Sequence, residues 1–248
     1  MNCSEIVRKG KKRLKKMLFS PVEGFVFHAV SDSFDETMNE YEDWNQTDDF
    51  KRNIKMLMDE YQFISLEEAH RILVKRSFRR KKYATLTSDD GYRSVLSILP
   101  FLEQHQIPIT LFVNPKYLDG ISRREGYATN PQYITKDDLW ALNSPIISIG
   151  MHGYEHNDAT KLSKESFLLS VDQCIEAIGS HPRFIPYYAY TWGIYSELTQ
   201  KVLKEKGIIP VLTSGETNYW FHNGIDRKPI DSYYLNHNRK RRETVISI

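Results

Sequence analysis

The sequence predicts an α/β domain built on parallel strands, and three observations carry that prediction. Short apolar runs alternate with amphipathic segments about six times along the chain. Two of the runs, Gly24–Val30 and Ile109–Val113, are rich in β-branched or aromatic residues, and the second is apolar at every position but Thr110, as suits a strand covered on both faces. No internal repeat and no Pro/Gly/Ser linker divides the 248 residues, a length ordinary for one α/β domain.

The elements follow in order. Gly24–Val30 (G-F-V-F-H-A-V) reads as the first strand. Asp48–Tyr61 reads as a helix capped by Thr47, with Phe50, Ile54, Leu57 and Met58 on one face. Ser65-Leu66-Glu67-Glu68 has the form of a capping box and opens a helix to about Leu73. Tyr83–Thr87 is the next strand. Arg93–His105 is a helix with Val95, Leu96, Leu99 and Leu102 inward and a kink at Pro100. After the strand Ile109–Val113, Thr135 caps a short helix to Leu142, and Ile146–Ile149 is a strand. Ser163 starts a helix to about Ile178, Phe184–Tyr188 is a strand, Tyr195–Lys206 is a helix ended by Gly207, and Ile208–Leu212 is the last strand. Strand followed by helix, repeated, means parallel strands joined by right-handed crossovers. An open doubly wound sheet and a closed barrel both satisfy the pattern, and in both the side chains just past the strand C-termini converge on one face.

Composition narrows the class. Apolar residues make up 40% and charged residues 27%, enough to bury a core and too structured a mixture for a disordered chain. Three stretches, Arg8–Lys16, Lys75–Lys82 and Arg239–Arg242, hold 17 of the 34 basic residues and no acidic ones, so the remainder carries 17 basic against 32 acidic residues, a net of −15. A body this acidic is not a nucleic-acid surface. The basic stretches suit solvated tails and turns, or contact with anionic lipid. Residues 1–20 read as a basic leader and 21–248 as the folded domain. No apolar run reaches the ~18–20 residues that span a bilayer, and the leader lacks the apolar core of about 7–15 residues that a secretory signal needs. The expected location is the cytoplasm, with peripheral membrane contact through the leader. Two cysteines, Cys3 and Cys174, exclude a disulfide framework and a cysteine zinc site.

Two clusters could carry chemistry. Thr87-Ser88-Asp89-Asp90-Gly91 directly follows one strand, and His152-Gly153-Tyr154-Glu155-His156 directly follows another. The chain has three Asp-Asp pairs, but Asp48-Asp49 and Asp137-Asp138 sit in the first turns of helices, where carboxylates favour the helix dipole. Eight histidines give roughly a quarter of an i,i+4 pair by chance, so the histidine spacing alone is a weak signal. Both clusters at the same end of two strands are a stronger one. Two imidazoles and one carboxylate make a three-ligand site for a divalent ion such as zinc, with a position left for water. One aspartate of the pair would be the third ligand, and the other would be free to take a proton. Gly91 would let the backbone turn tightly beneath the site. H-E-x-x-H is absent, which argues against a metalloprotease.

These residues resemble a known family. T-S-D-D-G is similar to the T-F-D-D-G motif of the polysaccharide deacetylases (NodB-homology, carbohydrate esterase family 4), and H-G-Y-E-H is similar to their H-S/T-x-x-H motif. F-H-A-V-S-D looks like the Y-H-x-V segment of their first strand, and Y-A-Y-T-W-G-I-Y-S-E like the F-A-Y-P-Y-G-x-Y-S-E stretch of one branch. The likeness runs from about Phe25 to Leu212. It implies a distorted (β/α)7 barrel and metal-dependent hydrolysis of an N-acetyl or related acyl group on a carbohydrate; with the leader's lack of a secretory signal, the expected substrate is an N-acetylated glycan or glycan precursor of surface-polysaccharide metabolism. It assigns Asp89 as the base, and Asp90, His152 and His156 as ligands of a divalent metal, zinc first, with cobalt or nickel as alternatives.

The sequence departs from the family in places. Ser88 replaces the usual aromatic. The R-x-P-Y/G motif is not intact, since Arg183 in P-R-F-I-P-Y has the wrong spacing for the charge-orienting role. The late L-x-H motif, which supplies the acid, has a loose match in Tyr234-Leu235-Asn236-His237, making His237 the candidate acid. His28 at the mouth of the first strand is a candidate substrate contact, and Tyr190 and Trp192, with Tyr187 and Tyr188, a candidate sugar-stacking platform. The damaged arginine motif and the loosely matched acid motif favour a competing reading, a catalytically impaired carbohydrate-binding protein on the same fold. A two-carboxylate glycoside hydrolase would leave both histidines unexplained.

Overall fold

The structure, a computed structural model, describes residues 21–32, 44–76, 81–120 and 132–230. The basic leader, His237 and the stretch Arg239–Arg242 lie outside the described residues.

The strands are β1 (Val22–Phe27), β2 (Ala29–Val30), β3 (Trp44–Asn45), β4 (Gln62–Phe63), β5 (Tyr83–Ser88), β6 (Ile109–Val113), β7 (Ile147–Met151), β8 (Phe184–Ala189), β9 (Ile209–Leu212), β10 (Ile225–Asp226) and β11 (Lys228–Pro229). The helices are α1 (Thr47–Glu60), α2 (Leu66–Lys75), α3 (Leu99–Gln104), α4 (Lys136–Ala141), α5 (Lys164–Ile178) and α6 (Glu197–Glu205). Paired strands run in the order β10-β9-β8-β7-β6-β5-β1-β11, with β4 beside β5 and a separate β2-β3 pair. The pairings along this path are all parallel. β10 pairs with β9, β11 pairs with β1, and only Arg227 separates β10 from β11, so the segment 225–229 joins the two ends of the sheet. The sheet thereby closes into a distorted (β/α) barrel.

Alternation along each strand sorts its residues into two layers. Phe25 and Phe27, Leu86, Leu111 and Ile149 face the helices, where Phe50, Ile54 and Leu57 of α1 and Phe167, Val171 and Cys174 of α5 cover them. The opposite parity, Gly24, Thr85 and Thr87, Phe112, Gly150, Tyr187 and Val211, points into the barrel. Two of those positions are glycines because their neighbours fill the space. A Cβ on Gly150 would lie 2.5 Å from the Phe112 ring, and one on Gly24 would overlap the Asp226 carbonyl and the Arg227 side chain. The Arg227 guanidinium lies over the Phe112 ring, 5.3 Å from its centroid. Leu66, Ala69 and Leu73 of α2 pack with Val22 and Ile225 and cover the end where the strands begin.

Most expected elements are present, and the differences have local causes. Thr47 lies inside α1 rather than capping it; Gln46 takes that place without a side-chain bond. Ser65 caps α2 through Glu68 N, and the helix runs on to Lys75. Arg93–His105 splits into a 3₁₀ segment, Arg93–Ile98, and α3, with Pro100 in the first turn of α3, where a missing N–H costs least. Thr135 caps α4 in a reciprocal box with Asp138, and Ser163 caps α5. The first strand is shorter than expected because pairing breaks at His28, and 225–229 was not expected as strand.

Candidate active site

Asp89 continues the inward parity of Thr85 and Thr87 past the end of β5, and its N–H donates to Phe27 O at 3.1 Å. The backbone then reverses through two left-handed residues, Asp90 (φ 69) and Gly91 (φ 74). Glycine is suited to the second, since a Cβ there would sit 3.1 Å from Val113 Cγ1. This turn aims the Asp90 carboxylate across to the end of β7.

His152 likewise continues the inward parity of Ser148 and Gly150. Its N–H donates to Val113 O at 3.0 Å, and its Nδ1 donates to Ala189 O at 2.9 Å. That second bond fixes the tautomer and leaves Nε2 facing the site. His156 is left-handed (φ 60), and its Nε2 lies 3.0 Å from Asp90 Oδ1, against 3.2 Å for His152 Nε2. The three side chains are buried, and their ligand atoms lie within 4.8 Å of one another. Ligands ~2.1 Å from an ion in tetrahedral array stand ~3.4 Å apart, so the donor set and its spacing fit a divalent cation. Of the five non-glycine residues with positive φ among those described, Asp90, His156 and Trp192 belong to this one site. Strained backbone concentrated in this way is characteristic of functional positions.

Beside the triad, Asp89 is held by Arg227. Nη1 donates to Oδ1 at 2.7 Å and Nη2 to Oδ2 at 2.8 Å. Thr87 Oγ1 accepts a further bond from Nη1 at 2.7 Å and donates to Phe25 O at 3.0 Å, while Thr213 Oγ1 accepts from Nη2 at 3.2 Å. Arg227 is fully buried. Burial works against the Asp89 charge, but the Arg227 guanidinium, with His152 beside it, outweighs burial and holds the carboxyl below the usual carboxylate range. Burial likewise pushes the His152 imidazole down, and the Asp89 and Asp90 carboxylates overcome it, leaving a net shift upward.

The two sequence motifs thus meet at one place, the T-S-D-D-G cluster at the end of β5 and the H-G-Y-E-H cluster at the end of β7, with Arg227 as a partner of Asp89 that neither motif contains. The family model described as polysaccharide deacetylase matches residues 77–211, just over half of the chain. The chain belongs to the polysaccharide deacetylase family. Three solved structures illustrate the shared fold. IcaB from Ammonifex degensii is 18% identical with a TM-score of 0.67, over 85% of this chain and 91% of its own. The Streptococcus pyogenes deacetylase PplD, solved in complex with acetate, is 21% identical with a TM-score of 0.66, over 85% and 92%. The de-N-acetylase from Aggregatibacter actinomycetemcomitans is 16% identical with a TM-score of 0.65, over 84% and 94%. At these identities the likeness is one of fold. No curated protein sequence matches the chain.

The remaining expected residues divide. His28 stands next to the Asp89 cluster: its carbonyl accepts from Ser88 Oγ at 3.2 Å, and its ring contributes to holding down the Asp89 carboxyl. Trp192 is 61% exposed, with its ring perpendicular to that of His156 at 4.8 Å between centroids. Tyr190 is buried between Tyr188 and Tyr195, so it builds the wall rather than offering a ring to solvent. Arg183 bonds Asn143 O at 3.0 Å with its guanidinium and takes no part in the site. The arginine that does bond Asp89 is Arg227, between β10 and β11, and not one from the position of the family's R-x-P-Y/G motif. Sequence reasoning missed it because I-D-R-K-P matches no motif. The one available signal was Gly24, a strand glycine of the kind that marks close approach by another part of the chain.

Proposed function

We propose that the chain is a metal-dependent hydrolase that removes an N-acetyl or related acyl group from a carbohydrate. The observation that carries this reading is the Asp90-His152-His156 triad standing beside an Asp89 that Arg227 keeps ionised. Asp90 Oδ1 and the two Nε2 atoms would hold the ion, and a two-nitrogen, one-oxygen set suits zinc, cobalt or nickel. When bound, such an ion supplies a Lewis acid that polarises a carbonyl and makes water acidic.

The chain's own groups do the rest. Asp89, charged and fixed in orientation, accepts a proton at a carboxylate oxygen. Arg227 keeps that oxygen pair in place and neutralises its charge in the resting state, so burial of the base is tolerated. His152 presents Nε2 to the site because its Nδ1–H donates to Ala189 O and holds the ring in that orientation. Trp192 offers an exposed aromatic ring beside the triad, suited to stacking on the apolar face of a sugar. His237 is the candidate acid for the departing amine. The de-N-acetylase name of one fold relative agrees with an N-acetylated glycan as substrate. Arg227 also answers one of the two sequence grounds for an impaired, purely binding protein, since an arginine does reach Asp89; the other, the acid, falls on His237 outside the described residues.

The test pairs elemental analysis of purified protein with acetate release from a panel of N-acetylated sugars. Wild type is expected to hold about one divalent ion and to release acetate. Asp89→Asn should keep the ion and lose turnover by about 10²–10⁴-fold. Asp90→Ala or His152→Ala should lose the ion. Normal activity in Asp89→Asn would remove that residue from the chemistry.

A further inference from the structure

Both candidate metal-binding histidines ride on one short loop, and that loop has little internal means of holding its shape. Gly153 has φ 78, and a Cβ at that position would lie 3.1 Å from Tyr188 Oη, so the residue after His152 brings no side-chain hydrogen bond of its own. His156 is left-handed without being glycine, a conformation that persists only when its surroundings impose it.

The surroundings do so, one carbonyl at a time. Asn114, directly after β6, donates from Nδ2 to His152 O at 2.6 Å and to Gly153 O at 2.9 Å. The Lys116 N–H donates to Tyr154 O at 3.2 Å. The Tyr117 hydroxyl donates to Glu155 O at 3.0 Å. Four successive carbonyls of the loop, 152–155, are thus taken by residues 114–117. Thr191 Oγ1 then donates to Asn157 O at 2.6 Å. Asn114 and Tyr117 are both buried, and Asn114 Oδ1 finds no partner among the described residues. Its two N–H donors are therefore what the buried amide contributes.

We propose that Asn114 and Tyr117 are positioning residues of the metal centre. They lock the 152–156 backbone so that both imidazoles meet Asp90, and they thereby set the affinity for a divalent cation. This rests on the metal-dependent reading above. Removing either donor leaves a buried carbonyl unsatisfied and lets the loop relax away from ion-ready geometry. Outer partners of this kind typically change metal affinity by about 10–100-fold.

The experiment measures zinc affinity of the full chain by competition with a chromogenic chelator, after stripping, with the melting temperature of the stripped protein followed alongside. Asn114→Leu is expected to weaken zinc binding about 10–100-fold, and Tyr117→Phe severalfold, with both stripped proteins folded. Lys116→Ala keeps its backbone N–H and removes only the solvent-exposed ion pair of its ammonium with Glu155 at 3.1 Å, so it is expected to bind as wild type does. Should Asn114→Leu fail to fold, Tyr117→Phe, which removes a single oxygen atom, decides. Affinities within about twofold of wild type in the folded variants would overturn the proposal, as would an equal loss in Lys116→Ala. Wild type that binds no zinc would instead overturn the metal-dependent reading itself, a result distinct from either.

Discussion

Arg227 grips the Asp89 carboxylate with both terminal nitrogens, at 2.7 and 2.8 Å, and reaches it from the strand that closes the barrel. The same residue's backbone N–H donates to Leu212 O at 3.0 Å, tying the closing strand to β9. Its flanks are also fixed. Asn218 Nδ2 bridges Val22 O and Asp226 O at 3.0 and 2.7 Å, the Asp226 carboxylate accepts the N–H groups of Ser214 and Gly215 and the Ser214 hydroxyl, and Lys228 pairs with Glu23 at 2.9 Å. The segment that closes the fold and the candidate base are therefore joined through one buried side chain.

Removing that side chain separates its two roles. Arg227→Met leaves a buried carboxylate unpaired and is expected to destabilise the protein by about 3–5 kcal/mol, read from denaturant midpoints. Arg227→Lys keeps the charge but loses the two-pronged geometry. It should lose less stability than Arg227→Met, while turnover falls about tenfold or more with the ion retained. A lysine variant with wild-type turnover would mean that charge alone suffices.

The same pair sets an acid limb in stability. The Asp89 carboxyl is held below its ordinary value of 3.8 in the folded protein. A carboxyl depressed on folding contributes stability above its unfolded pKa and loses it as pH falls through the folded one. Stripped wild-type protein should therefore weaken below about pH 4, and Arg227→Met, which abolishes the depression, should show a shallower loss over that range. Parallel stability profiles from pH 3 to 7 for the two proteins would count against the pair as the cause.

The relation between Asp89 and Arg227 also marks the boundary of what the sequence made legible. Asp89, Asp90, His152 and His156 could be read because each cluster follows a strong strand, and period-two alternation places side chains at the ends of β5 and β7 on the inner face. Arg227 could not, because its partner is 138 residues away and its strand is a few residues interrupted between two pairings. Pattern length, not chemistry, hid it. Tyr190 and Trp192 stand two residues apart, yet one is buried and the other exposed, since the chain turns through positive φ at Trp192. No composition rule distinguishes such a pair.

Inside the barrel, Phe112 occupies the volume opposite Gly150, where a Cβ would sit 2.5 Å from its ring. Gly150→Ala is therefore an overpacking change, expected to cost about 1–3 kcal/mol by denaturant unfolding. Adding Phe112→Leu should return part of that loss, so the two changes should be non-additive. Strict additivity would show that the ring moves aside at no cost. Because the Arg227 guanidinium lies over the same ring, the single variant is also expected to lower turnover without changing the ion content.

Trp192 permits a test in which recognition and backbone strain are read from one position. Its ring is exposed beside His156, and its φ of 54 lies in the left-handed region. Trp192→Ala and Trp192→Gly both remove the ring, so both should raise KM for an N-acetylated oligosaccharide severalfold, corresponding to about 1 kcal/mol of stacking. They differ in the backbone. Glycine adopts positive φ freely, whereas alanine keeps a Cβ that costs roughly 1–2 kcal/mol there. Trp192→Gly should therefore unfold at a higher denaturant midpoint than Trp192→Ala, with equal KM. If KM stayed at the wild-type value in both, the ring would not contact the sugar. If the two midpoints coincided, the turn at 192 would not be held left-handed in solution.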